Sequence, residues 1–260
     1  MTSPPRVGLA RRPPINSATI REQIVALLSV PERLPLTDAE LGAQFWQHHP
    51  RFRFLKNAPC DARVLDVGAG AGTLARWKTW QEPDRSDLLL YGVDLAEGGD
   101  DADLYEDWEI CNLDTERPRF SGMKFDAFFA SHIIEHLASP TPLFAYMADA
   151  AARRAWVYLE WPSPETREFP TREELASLGF NVTTANCHDD RTHRQTYDVN
   201  EVRASLEGYG FAAVESGYIV MRDLGEELLA RGRRLNRRDW RLLGLWAATG
   251  WCNCIVAVRR

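Results

Sequence analysis

Residues 64–72 read Val64-Leu65-Asp66-Val67-Gly68-Ala69-Gly70-Ala71-Gly72, an apolar run carrying one acid, followed by three glycines at alternate positions. The run before Gly68 suits a buried parallel strand, and the glycines let backbone approach a ligand where a Cβ would collide. A helix starting near Thr73 would add free amide groups and a positive dipole end, which marks a nucleoside-type ligand. A dinucleotide site would need Gly-x-Gly-x-x-Gly. Here Thr73 stands at the third glycine position and Gly72 arrives one residue early. Asp66 would repel a pyrophosphate, but it suits a ligand bearing ammonium and sulfonium charges. The local reading is therefore S-adenosylmethionine.

The acids that follow fall in a matching order. Leu88 to Asp94 forms a second apolar strand ending in a carboxylate, placed to accept both hydroxyls of a ribose. A third short strand at residues 108–111 leads into Asn112-Leu113-Asp114, which reads equally as an adenine-edge contact or as an ordinary turn pair. A fourth strand, residues 125–130, runs into Ser131-His132-Ile133-Ile134-Glu135-His136-Leu137, which enters a helix.

With its His-x-x-Glu-His-Leu segment after the fourth strand, the chain resembles the class I S-adenosylmethionine-dependent methyltransferases over residues 55–220. The resemblance implies an α/β, Rossmann-like seven-stranded sheet with helices on both faces. It places Asp66, Gly68, Ala69, Gly70 and Gly72 around the methionine and sugar, Asp94 on the ribose and Leu95 beside the adenine. Asn112 and Leu113 would sit at the adenine edge, with Ser131 and His132 on the floor near the sulfonium. Asn112 departs from the aspartate common in relatives; it keeps an acceptor oxygen and loses the charge. S-adenosylhomocysteine would be the product.

The domain reading divides the chain into an N-terminal helical extension, residues 1–55, and a methyltransferase domain, residues 56–260, with a helical insertion at 221–250. Residues 1–15 are expected to be mobile, Asn16-Ser17-Ala18 to cap a first helix, and Thr37-Asp38-Ala39-Glu40 to open a second. The extension either covers the cofactor or packs on the sheet. Further strands are expected at 156–160, 211–220 and 253–258, with a helix at 198–209. The insertion is long enough to shape an acceptor site.

Composition excludes several classes. At 260 residues, 45% hydrophobic and 26% charged, the chain has ordinary globular content, and a net charge of -6 argues against wholesale nucleic-acid binding. Ala130-Ser131-His132 stands where amino-group methylases of nucleic acids carry Asn/Asp-Pro-Pro-aromatic. Five cysteines without a CxxC pair indicate reduced, mostly buried thiols rather than a disulfide frame or zinc site. With no apolar leader and no membrane span, the expectation is a cytoplasmic enzyme without integral membrane association, open to oligomerisation.

Catalytic candidates concentrate in Cys187-His188-Asp189-Asp190-Arg191-Thr192-His193-Arg194. Methyl transfer to a hydroxyl needs a base, which a histidine oriented by a carboxylate supplies. His193 with Asp190 or Asp189 fits, and His188 is a second candidate. Asp-x-Thr-His resembles a segment common in methyltransferases of glycan and natural-product pathways, which favours O-methylation of a sugar or another small polar acceptor. No metal ligand is assigned; a cation between Asp189, Asp190 and Glu160 or His188 is the weaker alternative. Trp161 reads either as an acceptor wall or as a buried tryptophan. Six arginines between Arg231 and Arg241 would steer an anionic acceptor or form a solvated face. The competing function is a non-catalytic partner or regulatory subunit that keeps the cofactor fold, with a nicotinamide oxidoreductase a distant third.

Overall fold

A computed structural model of the chain describes residues 7–11 and 20–260. The described part of the extension forms α1 (Ile20–Leu27), α2 (Asp38–His48) and α3 (Pro50–Lys56). Thr37 caps α2 as expected: its side chain accepts from the Glu40 amide while the Glu40 carboxylate accepts from the Thr37 amide. The expected cap at residues 16–18 lies outside the described residues. Residues 7–11 correct the expectation of mobility over their short span. Ala10 bridges to Tyr218, and the Glu215 carboxylate accepts from the amides of Val7 and Leu9 at 2.5 and 2.7 Å.

The described residues build a seven-stranded sheet in the order β3-β2-β1-β4-β5-β7-β6. In chain order these are β1 (Arg63–Val67), β2 (Leu89–Asp94), β3 (Asp107–Ile110), β4 (Phe125–Ser131), β5 (Ala151–Pro162), β6 (Phe211–Tyr218) and β7 (Cys252–Arg259). β7 runs antiparallel between β5 and β6, whereas the other neighbours pair in parallel. Strand order reverses between β1 and β4, so their carboxyl ends open the crevice in which this architecture takes ligands.

Side-chain alternation makes the sheet a wall between two cores. Val64, Leu90, Phe129, Trp156, Tyr158 and Cys254 face one core, closed by Ile24, Phe54 and Leu245. Leu65, Tyr91, Phe128, Val157, Leu159 and Ile255 face the other, closed by Phe144 and Met147 of α5 (Thr141–Ala150) and by Val202 and Leu206. The helix expected at Thr73 is brief: a 3-10 turn at Thr73–Ala75 passes into α4 (Arg76–Thr79). The segment after His132 is likewise a 3-10 turn, Ile134–His136, and the helix waits until Pro140 supplies a start for α5. Beyond β5 come α6 (Arg172–Ser177) and α7 (Val199–Gly208), the latter capped by Asp198.

The insertion consists of two helices, α8 (Arg222–Arg234) and α9 (Arg238–Thr249). They pack so closely that a Cβ on Gly244 would lie 2.6 Å from the Gly225 carbonyl oxygen. Arg231, Arg233 and Arg234 hold the extension, although Arg233 and Arg234 remain exposed, as do Arg237 and Arg238. Arg231 is buried and bonds Glu227, Asp38 and the Leu34 carbonyl, while Arg234 pairs with Glu32 and Asp38. Arg238 donates to the Val182 carbonyl, and Arg241 lies 5.9 Å from the Phe180 ring centre. Arg231 and Arg241 are thus buried supports, while the other four keep the exposed face that was the alternative to a steering patch. Among the described residues, no helix is long and apolar enough to cross a membrane.

Candidate active site

Two cavities open at the carboxyl ends of β1 and β4, and both are lined by Gly68 and His132, which makes them one cleft. The larger, about 630 Å³, runs from Asp94, Leu95, Asn112 and Leu113 to His136, Arg191, Thr192 and Arg194. The inner one is bounded by Trp46, Arg51, Asp66, Ala69, Thr73, Trp77 and Ser131.

The glycine loop is built for a closely approaching ligand. Gly68 and Gly70 have φ of 72° and 57°, a left-handed conformation that L side chains avoid. A Cβ on Gly68 would press to 3.0 Å on Ile133. Gly72 does not line the cleft; it lies against Asp101, Ala102 and Tyr105, so its role is to seat the following loop. Asp94 accepts from the amides of Gly70 and Leu95 at 2.8 and 2.7 Å, which aims its remaining lone pairs across the loop. Asn112 accepts from the Asp114 amide at 3.1 Å and lines the cleft, so the turn and ligand readings coincide. Ser131 Oγ is buried in the inner cavity wall without a hydrogen-bond partner among the described residues. That orphaned hydroxyl and the glycine cradle fit a polar nucleoside ligand.

Asp66 is buried, and the Tyr105 hydroxyl donates to its Oδ2 at 2.6 Å. Burial pushes its carboxyl up to about 7, against the Tyr105 hydrogen bond and helped by the nearby Asp94 charge. A cationic ammonium arriving here would restore the ionised form.

A chain of charges crosses the floor. Arg51, from α3, donates to Glu160 through Nε and Nη2 at 2.8 and 2.5 Å, and the Tyr158 hydroxyl adds a third donor at 2.5 Å. His132 places Nε2 at 3.1 Å from Glu160 and Nδ1 at 3.0 Å from Glu135. Burial alone would lower the His132 pKa, but these two carboxylates outweigh it and raise it, which favours the imidazolium form. His132 has φ of 57°, a strained setting for a residue with a Cβ, and the pairing of both ring nitrogens holds it there. Burial also raises the Glu160 carboxyl, yet Arg51 and His132 bring it well below the usual range.

At the outer end, the Glu135 carbonyl accepts from the amides of Arg194 and Gln195 at 2.8 and 3.5 Å. Thr192 Oγ1 lies 2.9 Å from His136 Nδ1, and together these contacts dock residues 190–195 onto the His132–Leu137 segment. His193 Nδ1 donates to the Cys187 carbonyl at 2.7 Å, so Nε2 carries the free electron pair. That Nε2 lies 3.8 Å from Asp190 Oδ2 and 4.0 Å from Glu135 Oε1. Burial lowers the His193 pKa more than the Glu135 charge raises it, which keeps the ring neutral at physiological pH.

Not every candidate gathers here. His188 is exposed, and neither it nor Asp190 nor His193 lines either cavity; His193 packs against a lining residue, His136. Asp189 is spent on backbone, accepting from the amides of Arg172, Ala185 and Asn186. Glu160 is held by Arg51, so the expected Asp189–Asp190–Glu160 cation arrangement does not form. Trp161 is fully buried, with its indole N–H on the Tyr197 carbonyl, which corrects its reading as an acceptor wall.

The sequence profile of the methyltransferase domain family matches residues 40–216, more than half of the chain. The chain belongs to this family. None of the curated proteins compared with it matches significantly. Solved methyltransferases share its fold. An S-adenosylmethionine-dependent methyltransferase from Archaeoglobus fulgidus is 18% identical, with 86% of this chain and 95% of that one covered and a TM-score of 0.52. A putative methyltransferase from Haloferax volcanii, in complex with the activator Trm112, is 14% identical, with 84% and 88% covered and a TM-score of 0.53. Phosphoethanolamine N-methyltransferase 2 from Haemonchus contortus, in complex with S-adenosyl-L-methionine, is 18% identical over 87% of this chain and 58% of that one, with a TM-score of 0.53. Family membership and the fitted cleft make this a class I methyltransferase with S-adenosylmethionine as its cofactor.

Residues at or against this methyltransferase's cleft to which the sequence reading gave no individual role include Arg51, Trp46 and Tyr105. Arg51 and Trp46 come from the extension, and Tyr105 comes from the loop after β2. Arg51 and Trp46 stand in an aromatic and basic cluster at residues 45–54, a legible signal for an element near the cleft. Tyr105 carries no comparable signal, because only the return of its loop onto Gly72 brings it to Asp66.

Proposed function

We propose that this methyltransferase transfers its methyl group to an oxygen of a small polar acceptor, such as a sugar, at the His136–His193 end of the cleft. The observation that carries the reading is His193: an imidazole pinned through Nδ1 that packs edge-on against His136, 4.7 Å between ring centres, directly behind the wall of the cavity that also holds Asp94 and Leu95. Bound S-adenosylmethionine supplies an activated methyl on a sulfonium, so the protein's own work is placement and deprotonation. His193 Nε2 accepts the acceptor's hydroxyl proton as the oxygen–methyl bond forms, and Asp190, 3.8 Å away, stabilises the resulting imidazolium. Arg191 lines the same end and favours acceptors carrying a carboxylate or phosphate, whereas Arg194 is already paired with Asp114 at 2.9 Å.

Incubating the protein and labelled S-adenosylmethionine with a metabolite extract, followed by mass spectrometry, should give an O-methylated polar product. Labelled product carrying its methyl on nitrogen or carbon would overturn the oxygen assignment. A second reading is a subunit working with a protein partner, favoured by the Haloferax volcanii neighbour's complex with an activator. It predicts cofactor binding with product formed only when a partner is added.

A further inference from the structure

Two groups of side chains in the floor have metal-ligand chemistry: His132 with Glu160 and Cys252, and Glu135 with His136 and His193. The first is closed to a cation. Both Glu160 oxygens already take donors from Arg51, the cationic form of His132 is favoured, and burial holds the Cys252 thiol protonated.

The second group is arranged in the opposite sense. His136 Nδ1 faces Thr192 Oγ1 at 2.9 Å, and that hydroxyl donates its own proton to Asp190 Oδ1 at 2.6 Å. Thr192 therefore accepts at His136, so Nδ1 carries the hydrogen and Nε2 the lone pair. His193 is fixed in the same tautomer by the Cys187 carbonyl. Second partners that hold imidazoles in this way orient metal-binding histidines and raise their basicity. Glu135 is fully buried, and its Oε2 has no hydrogen-bond partner among the described residues. Ligand atoms from the three residues lie within 4.8 Å of one another, so a sub-ångström shift of each brings them onto one ion at about 2.1 Å.

We propose that Glu135, His136 and His193 bind a divalent transition-metal cation at the acceptor end of the cleft. Two imidazoles and one carboxylate form a set that leaves coordination positions open and suits first-row metals better than calcium or magnesium. Of the three, His136 lines the cavity together with Thr192 and Arg194, and that is the side from which an acceptor hydroxyl would reach the ion. With the cation bound, coordination would lower that hydroxyl's pKa and its proton would pass to water at the open end, so the proton-accepting role of His193 belongs to the cation-free protein. This catalytic part rests on the hydroxyl-methylation reading; the binding part does not.

The test is titration of chelator-treated, dialysed protein with Mn2+, followed by the loss of the free-ion electron paramagnetic resonance signal. One Mn2+ per chain should bind, and His136→Gln and His193→Gln should each weaken binding by at least about tenfold while circular dichroism stays unchanged. Thr192→Val, which frees the His136 ring, should weaken it by about 10- to 100-fold. Absence of saturable binding up to about millimolar Mn2+, or equal binding by both histidine variants and the unaltered protein, overturns the site. Methyl transfer should fall on chelation and return with Mn2+; transfer indifferent to chelation overturns the catalytic part. Binding at the site combined with methylation only at nitrogen or carbon would instead sink the hydroxyl reading and leave the cation site standing.

Discussion

The inner and outer ends of the cleft floor use the same residue types to different ends. Around Glu160 both oxygens meet donors supplied by the protein: Arg51, Tyr158 and His132. Around Glu135 one oxygen lacks a partner, and the neighbouring histidine His193 presents a free electron pair rather than a proton. A buried carboxylate whose bonds are complete holds structure together, whereas one left incomplete implies a ligand. Substitutions at the inner end should thus move stability and cofactor affinity, and those at the outer end should move turnover.

The largest contrast should come from His193→Ala. Turnover should fall by about 10²- to 10⁴-fold with S-adenosylmethionine affinity nearly unchanged, as read by steady-state kinetics and calorimetry. A loss confined to cofactor affinity would erase the distinction between the ends. Arg51→Ala should instead destabilise the fold by about 3–5 kcal/mol in urea denaturation, because Glu160 is left buried with only His132 and Tyr158. A cost below about 1 kcal/mol would place that pair among ordinary surface bridges.

Asp66 sharpens the comparison through pH. With a folded pKa of about 7, well above the usual carboxylate value, it is mostly protonated below neutrality and must ionise to meet an ammonium. Cofactor binding should therefore tighten by up to about tenfold per unit as pH rises toward 7 and level off above it. The same shift means that folding stability falls between about pH 4 and 7, since the native state there holds a proton the unfolded chain has released. A flat affinity profile from about pH 5.5 to 8 would reassign the acid. The smallest expected effect is that of Tyr105→Phe. Without its donor at 2.6 Å, Asp66 ionises less readily, so the affinity profile should move to higher pH by less than about one unit. A shift to lower pH would contradict the hydrogen bond's role.

The strands that build the cleft were open to sequence reading because each couples an apolar run to a chemically marked end: Gly68 after β1, Asp94 at the end of β2 and Ser131 at the end of β4. The Thr37 cap and the paired insertion helices were legible for the same local reason. The short helix after Gly72 was not, since nothing within Thr73–Thr79 forbids its continuation. Nor was the fate of the arginines in α8, whose pairing with Glu32 and Asp38 spans about two hundred residues.

By itself the sequence determined the cofactor class and the strand ends that build the cleft, because the glycines and Asp94 act through backbone geometry and position at a strand end. It also singled out His193, with Asp190 or Asp189 as the orienting acid and His188 as a second candidate. Only the tertiary structure decided among them. It spent Asp189 on backbone amides, left His188 in solvent, and set Asp190 and His193 against Glu135 and His136. Residues 136 and 193 meet because the backbone around Arg194 docks on the Glu135 carbonyl, a contact between polar main-chain groups that no side-chain pattern encodes.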